Sequence, residues 1–264
     1  MEMGLIPAES WAIFLDPRSD VIVVEGPSDD ALRDLLRDYG NKVEFRRVVS
    51  EPHLATRFKD TQPYYGGSSF SGSGSSCTLG FSVRFTSGVA AIVTAGHCWP
   101  MGYSPANSIG NHAGPVVSRE NPTSNQPSHD TEVLSQKRYS GRIYVGLDAG
   151  AWKSVLGAGN PVVNANYCVS GAKTFEHCGL EADQVGISKF FSDDGVWVDD
   201  LTRTSPSRID HGDSGGPFYL DAPNGVWARG TAVGFDEVAN HDYFQLWSYI
   251  ASRFAVTICT VYEC

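Results

Sequence analysis

No run of lysine and arginine in this sequence is long enough to make a basic face. The chain carries 20 basic against 30 acidic residues, a formal net charge of -10, so no nucleic-acid partner is expected. No apolar stretch approaches the roughly 18 residues that a membrane helix requires, and no membrane partner is expected. The opening residues, MEMGLIPAESWAIFLD, have neither a basic n-region nor a long apolar h-region, so no signal peptide is visible. Either the chain is cytoplasmic or an export signal lies outside this sequence. Charged residues are scarce as well, 19% against 41% hydrophobic, which favours a sizeable core over disorder. What the chain has in abundance is turn formers, 28 Gly and 14 Pro in 264 residues. That composition is typical of β proteins, and the length allows one large or two small domains.

Composition changes near residue 62. Residues 1–62 hold 20 charged residues, 3 Gly and no Cys; residues 63–264 hold 30 charged residues, 25 Gly and all 6 Cys. Between them, Gln62-Pro63-Tyr64-Tyr65-Gly66-Gly67-Ser68-Ser69 through Gly74 reads as a flexible linker, so the expected domains are 1–62 and 63–264. The first reads β-β-α-β. Trp11–Leu15 and Val21–Val24 are apolar runs joined by the turn Asp16-Pro17-Arg18-Ser19-Asp20. Ser28 suits a helix N-cap, Asp29 and Asp30 suit its first turn, and Gly40 suits its exit. Leu32, Leu35, Leu36 and Tyr39 make one stripe, and Val43, Phe45 and Val48 face one side of a third strand. About 60 residues bury little area, so this domain is marginal unless it packs on something.

The second segment shows short strands between turn signals, at 79–85, 89–94, 142–147, 184–191, 195–198, 226–235 and 243–250. A helical stripe emerges only over 246–254, and no repeat of about 20–50 residues is seen. The pattern predicts a β-sandwich or barrel.

Three fragments carry chemistry: Thr94-Ala95-Gly96-His97-Cys98, Ser128-His129-Asp130-Thr131-Glu132-Val133-Leu134, and Gly212-Asp213-Ser214-Gly215-Gly216-Pro217. A serine hydroxyl needs a neutral imidazole to take its proton. The imidazole in turn needs a carboxylate to fix its tautomer and stabilise its charged form. His97, Asp130 and Ser214 supply those types. Gly212 before Asp213-Ser214 frees backbone N–H groups to point at a developing oxyanion, with Gly212 and Ser214 as the two donors. Asp148, in Val145-Gly146-Leu147-Asp148, rivals Asp130 as the acid. The nucleophile-elbow pattern of α/β-hydrolases also fits Gly212–Gly216, but those enzymes place acid and His after the serine. Only 50 residues follow Ser214, too few for the rest of that fold. Cys168–Cys178 with His177 lacks a second ligand pair at metal spacing, so no metal is expected.

TAGHC followed by GDSGGP resembles the chymotrypsin-like serine peptidases, and the order His, Asp, Ser is that family's. The 33-residue gap from His97 to Asp130, Cys77-Thr78-Leu79-Gly80-Phe81, and Cys168-Val169-Ser170-Gly171 with His177-Cys178-Gly179 resemble the bacterial streptogrisin and α-lytic-protease branch. Trp11–Asp60 resembles the last part of the propeptide in that branch. The resemblance implies a mainly β fold: a trypsin-like double six-stranded antiparallel β-barrel, preceded by a small α/β propeptide-like domain. It implies a serine endopeptidase with catalytic His97, Asp130 and Ser214, acting on polypeptide substrates without metal or organic cofactor, and a monomer is expected. A catalytically silent peptidase-fold binding module is the alternative.

Six cysteines permit fifteen pairings. The resemblance implies Cys77–Cys98 and Cys168–Cys178; Cys259 and Cys264 remain and would close a small C-terminal loop. Three disulfides imply an oxidising compartment, hence a secreted, extracellular protein. A further disulfide of many relatives is missing: its first position is Arg208, and no Cys lies between 178 and 259.

Two departures from the family matter. Arg208, Ile209, Asp210 and His211 border the expected specificity pocket with Phe235–Ala239, so Arg208, Ile209, His211, Glu237, Val238 and Ala239 are the candidate substrate-binding residues. Relatives have a Gly-rich stretch where this chain has the bulkier, shorter Phe235-Asp236-Glu237-Val238-Ala239-Asn240. Arg208 could favour an acidic side chain of the substrate, or could pair with Asp210 or Asp242 and be structural. Second, relatives place an Arg after the first Cys of the middle disulfide as the partner of the buried Asp213. Here that place is Val169, and Lys173 is the nearest candidate by sequence. Residues 1–62 are expected to assist folding of the β domain, cover its cleft as an inhibitory propeptide, and be released by a cut near Gln62–Gly66.

Overall fold

Three strands form over the apolar runs of the first segment. The computed structural model describes residues 12–16, 21–26, 42–47, 56–123, 128–147, 150–260 and 264. β1 (Ala12–Asp16) pairs antiparallel with β2 (Val21–Gly26), and β2 pairs parallel with β3 (Val43–Arg47). A parallel pair needs a crossover connection; the helix expected over 28–40 lies outside the described residues.

The chain divides into two compact units, Met1–Leu54 and Ala55–Cys264. The division falls upstream of Gln62 because the residues between belong to the second unit's interior: Arg57 and Asp60 are both 0% exposed. The Gly/Ser/Pro stretch is accordingly no free linker. It forms β4 (Tyr64–Gly66) and a hairpin of β5 (Ser69–Gly72) with β6 (Ser75–Thr78). Tyr64 and Phe70, set among the small residues, meet edge to face at 5.4 Å inside a core. Two large buried rings offset the ordering cost that Gly and Ser alone could not.

The rest of this unit is almost all β. β7 (Ser82–Phe85), β8 (Ala90–Thr94), β9 (Val116–Glu120) and β10 (Thr131–Ser135) form, with the last strand β19 (Val256–Ile258), a sheet of order β19-β7-β8-β10-β9. The larger sheet takes β11 (Tyr139–Tyr144), β12 (Trp152–Ala158), β13 (Asn166–Gly171), β14 (Phe175–Phe191), β15 (Val196–Ser205), β16 (Pro217–Ala222), β17 (Gly225–Asp236) and β18 (His241–Leu246), with β4 at its end. Pairing is antiparallel except at β4–β11 and β12–β17, which are parallel. The stripe expected at 246–254 is the helix α1 (Trp247–Phe254), with Trp247, Ile250 and Phe254 buried.

The central strands are buried on both faces, as in β10, where all five residues are buried, and each half of the unit has its own core. Leu79, Ile92, Trp99, Leu134 and Tyr139 belong to the first. Tyr167, Val169, Leu180, Phe218 and Phe244 belong to the second. A third cluster joins Phe81, Val93 and Val133 of the first half to Tyr219, Ala228 and Trp247 of the second. Groups at the ends of strands from both halves are thereby held against each other.

The long hairpin β14–β15 reaches beyond these cores. From Asp183 to Phe191 no residue of β14 is buried, and burial alternates between half-buried and exposed. This is the pattern of a two-stranded arm with one face against solvent.

Candidate active site

The site is assembled from the residues just past β8 and just before β10, with the turn that precedes β16. Cys98 forms a disulfide with Cys77 at the end of β6, with an S–S distance of 2.05 Å. This fixes Thr78 between the halves. Its N–H donates to the Ser214 carbonyl at 2.8 Å and its Oγ1 to the Gly212 carbonyl at 2.8 Å, while Thr94 Oγ1 donates to the Thr78 carbonyl at 2.8 Å. One residue thus ties the His97 strand to the Ser214 turn. The other expected disulfides, Cys168–Cys178 and Cys259–Cys264, are both formed.

Asp130 is 1% exposed and accepts two hydrogen bonds from His97, from its N–H at 2.8 Å and from Nδ1 at 2.6 Å. A carboxylate offers only acceptors, so the imidazole proton sits on Nδ1 and Nε2 keeps its lone pair. Asp130 N–H donates to Gln245 Oε1 at 3.0 Å, and Gln245 Nε2 donates to the carbonyls of Asp199 and Asp200. β18 of the second half therefore holds the acid of the first. Asp148, the rival acid, lies outside the described residues.

The residue before Asp130 is braced from the far end of the chain. The His129 ring stacks on Tyr249 of α1, centroids 3.2 Å apart and planes 8° apart. Glu120 lies 3.0 Å from His129 Nδ1 and accepts from Tyr249 Oη at 2.6 Å, Arg253 Nε at 2.7 Å and Ser128 Oγ at 3.1 Å. Burial works against its charge, but these hydrogen bonds outweigh it and hold the Glu120 carboxyl down at about 2. Glu132 behaves oppositely. Burial without a full ion pair, with Arg119 Nε at 3.5 Å, pushes its carboxyl up to about 9. It is therefore neutral at pH 7 and sets no second negative charge beside Asp130.

Ser214 and His97 line one cleft of about 830 Å³. Among the described residues no hydrogen bond joins Ser214 Oγ to His97; such contacts are often long before substrate closes them. Gly212 has a φ of +106°, a backbone state that glycine adopts freely. Among the described hydrogen bonds, the N–H groups of Gly212 and Ser214 have no partner within the chain, whereas those of Asp213, Gly215 and Gly216 do.

Asp213 is fully buried between those two N–H groups. Its carboxylate accepts from Lys173 N–H at 2.7 Å, Thr174 N–H at 3.1 Å, Thr174 Oγ1 at 2.7 Å and Asp210 N–H at 3.0 Å. Lys173 contributes its backbone N–H, not an ion pair. Four donors are enough to satisfy a buried carboxylate.

Of the six candidate substrate-binding residues, His211, Glu237 and Val238 line the cleft. Arg208, Ile209 and Ala239 do not. Arg208 is exposed, and its N–H donates to Asp242 Oδ2 at 2.7 Å. Ile209 is 6% exposed inside the second half's core. Ala239 lies in the β17–β18 turn, its N–H on Asp236. His211 meets Phe235 edge to face at 5.2 Å, and both rings line the cleft. Sequence reading missed the opposite wall, Lys189, Phe190, Phe191, Ser192, Asp193 and Asp194, carried by the β14–β15 arm. The alternating pattern of 184–191 and the acidic turn after it were legible as a protruding hairpin. Nothing local tied them to the site.

The cleft is acidic: Asp193, Asp194, Asp236 and Glu237 line it against Lys189, which is paired with Asp236 at 2.9 Å. Burial works against the charged form of His97, but Asp130, by charge and hydrogen bond, and then Asp194 outweigh it and raise its pKa above 6.5. A general base must be neutral to act, so the acid limb of the activity profile is expected above the ordinary histidine value. Asp194→Asn removes one group that favours the imidazolium. The limb in kcat/KM should move to lower pH, and more at low salt than at high, because Asp194 is exposed. An unmoved limb at low ionic strength would count against the coupling.

No family model matches the chain. It is 29% identical over 217 residues to Serine protease 1 of Streptomyces fradiae, covering 81% of this chain and 57% of that protein. It is 28% identical over 240 residues to Streptogrisin-D of Streptomyces griseus, covering 87% and 56%. The chain thus spans little more than half the length of these relatives. Among solved structures, the Nocardiopsis protease NAPase superposes with a TM-score of 0.60 at 23% identity, over 74% of this chain and 98% of that one. The fold is that of the solved protease, and the sequence is similar to these two serine proteases over most of this chain's length.

Proposed function

We propose that this chain is a secreted serine endopeptidase that hydrolyses peptide bonds through a Ser214–His97–Asp130 triad and an acyl-enzyme, carried here as a proenzyme with its propeptide, residues 1–54, attached. The observation that carries the reading is the 2.6 Å bond between His97 Nδ1 and the buried Asp130 in a cleft that also presents Ser214. Ser214 Oγ attacks the substrate carbonyl while His97 Nε2 takes its proton, and Asp130 stabilises the imidazolium that forms. The Gly212 and Ser214 N–H groups donate hydrogen bonds to the oxyanion. His97 then protonates the leaving amine, and water, activated by the same imidazole, releases the acyl group. Every step uses side chains and N–H groups of the chain itself, so the proposed reaction needs no added cofactor.

A cut near Gln62–Gly66 does not fit a zymogen of this chain, since Tyr64 is 2% exposed and sits in a sheet. The activating cut is placed upstream of Arg57 instead. Two observations favour the alternative, a silent binding module of the same fold: no Ser214–His97 hydrogen bond is formed among the described residues, and the bulky His211–Phe235 pair lines the cleft. Exposure to an organophosphonate after removal of residues 1–54 decides between them. A peptidase should give a stoichiometric adduct on the peptide containing Ser214, abolished by prior denaturation. An unlabelled serine in folded, processed protein would leave the binding-module reading standing.

A further inference from the structure

Arg57 is the largest charged side chain in the second unit's interior, and it is 0% exposed. Among the described residues no carboxylate lies within ion-pair distance of it. Its Nη1 donates to three oxygens: the Gly67 carbonyl at 3.1 Å, Ser170 Oγ at 2.9 Å and the Gly171 carbonyl at 2.9 Å. Its Nε and Nη2 have no hydrogen-bond partner. The flat guanidinium lies 5.3 Å from the Phe175 ring centroid and 6.0 Å from that of Tyr144. Burial brings its pKa down to about 10, opposed by the fields of Tyr219, Asp213, Glu176 and Tyr144. It therefore stays charged at neutral pH. A buried cation with two unpaired donors is costly, and packing alone would be better served by an apolar residue.

What that cation holds is the other side of the Ser214 turn. Gly171 lies directly against Asp213, and a Cβ there would come within 2.0 Å of Asp213 Oδ1. The next residues, Lys173 and Thr174, supply three of the four hydrogen bonds on the Asp213 carboxylate. Arg57 thus grips the end of β13 from behind while Asp213 grips it from the front. Asp213 stands in sequence between Gly212 and Ser214, whose N–H groups have no partner among the described hydrogen bonds, so a shift of 171–174 is passed to both. The short segment carrying Arg57 is itself pinned. Asp60 accepts from Ser68 Oγ at 2.5 Å, Tyr65 N–H at 2.9 Å and Tyr144 Oη at 3.0 Å, and Asn107 Nδ2 donates to its carbonyl at 2.6 Å. Ser170 Oγ, which Arg57 contacts, donates to the Tyr144 carbonyl at 2.6 Å, closing the loop.

We infer that residues 56–62 are an integral part of the peptidase unit, and that Arg57 is a positioning residue for the Gly212–Ser214 donors, acting through Ser170–Thr174 on Asp213. This rests on the peptidase reading for its effect on turnover, but not for its effect on the turn. The active form must then begin upstream of Arg57.

The test uses full-length Arg57→Gln and Arg57→Lys beside wild type, each activated in the same way. Amide hydrogen exchange of the peptide spanning residues 209–216 should be faster in Arg57→Gln than in wild type, with β8 (Ala90–Thr94) unchanged and Arg57→Lys in between. This readout does not depend on activity, so it separates a failure of this inference from a failure of the peptidase reading. Per phosphonate-labelled site, kcat of Arg57→Gln should fall by about tenfold to a hundredfold, less than the loss of a whole oxyanion donor, with KM within about threefold. Arg57→Lys should restore part of it. Unchanged exchange over 209–216, or wild-type kcat per site in Arg57→Gln, would overturn the inference even if the melting temperature drops. If Arg57→Gln does not fold, the N-terminus of the active wild-type form, read by mass spectrometry, decides. A terminus at or before Arg57 is expected, and a fully active form beginning at Phe58 or later would overturn it.

Discussion

Ser214→Ala should lower turnover of a peptide substrate by a factor on the order of 10⁴–10⁶ while leaving the fold intact. The size follows from what remains. Without the hydroxyl no acyl-enzyme can form, and His97 and Asp130 have no nucleophile to serve. The Gly212 and Ser214 N–H groups still polarise a bound carbonyl, so a residue of rate above the uncatalysed level survives. The Ser214 side chain makes no hydrogen bond among the described residues, and its backbone carbonyl still accepts from Thr78. The melting temperature should therefore stay within a few degrees of wild type, for a change in stability of about 1 kcal/mol or less. Turnover is measured per folded protein after removal of residues 1–54. A loss of only a few-fold would mean that another group is the nucleophile.

Asp130→Asn should cost about 10⁴ in kcat at neutral pH, and for a different reason. Asp130 now accepts from both His97 N–H and His97 Nδ1. An amide has one oxygen to offer. If that oxygen keeps the backbone N–H, the NH₂ group faces Nδ1 and forces the ring proton to Nε2. The imidazole is then the wrong tautomer to take the serine proton. Losing the carboxylate also removes the largest group that raises the His97 pKa, so the residual activity should show its acid limb at lower pH than wild type. Asp148→Asn is the matching control and should stay within a few-fold of wild type. A tenfold or smaller loss in Asp130→Asn, with a large one in Asp148→Asn, would move the acid to position 148.

The residues of the proposed triad were legible because each sits in a short local signature. His97 lies between Gly96 and a disulfide cysteine, and Ser214 inside GDSGGP. The strands were legible as short apolar runs between turn signals, as in β8 and β17, where four consecutive residues are buried. The substrate wall was not, because its two sides come from segments far apart in sequence. Arg208 and Ile209 border the cleft in sequence, yet Asp242 and the core claim them. Asp193 and Asp194 reach the cleft only because β14 and β15 are long enough to carry them there. The stretch 62–74 has the Gly and Ser content of a linker, and only tertiary contacts through Tyr64 and Phe70 hold it in place. Residues 56–61 go with the charged first segment by composition, yet Arg57 and Asp60 are buried in the second unit.

The stack of Tyr249 on His129 has a consequence for the order in which the enzyme becomes armed. Asp130 is followed by more than a hundred residues before the chain reaches Gln245, Tyr249 and Arg253, which brace its loop from β18 and α1. On the ribosome, His97 and its acid are made early and Ser214 later. The clamp that fixes the acid comes later still, with Gln245, Tyr249 and Arg253, all of them after Ser214. A nascent chain thus carries all three side chains of the proposed triad before it carries the means to align them. Premature termination shortly after Leu246 would yield a protein with the triad in its sequence but without the α1 brace on the Asp130 loop.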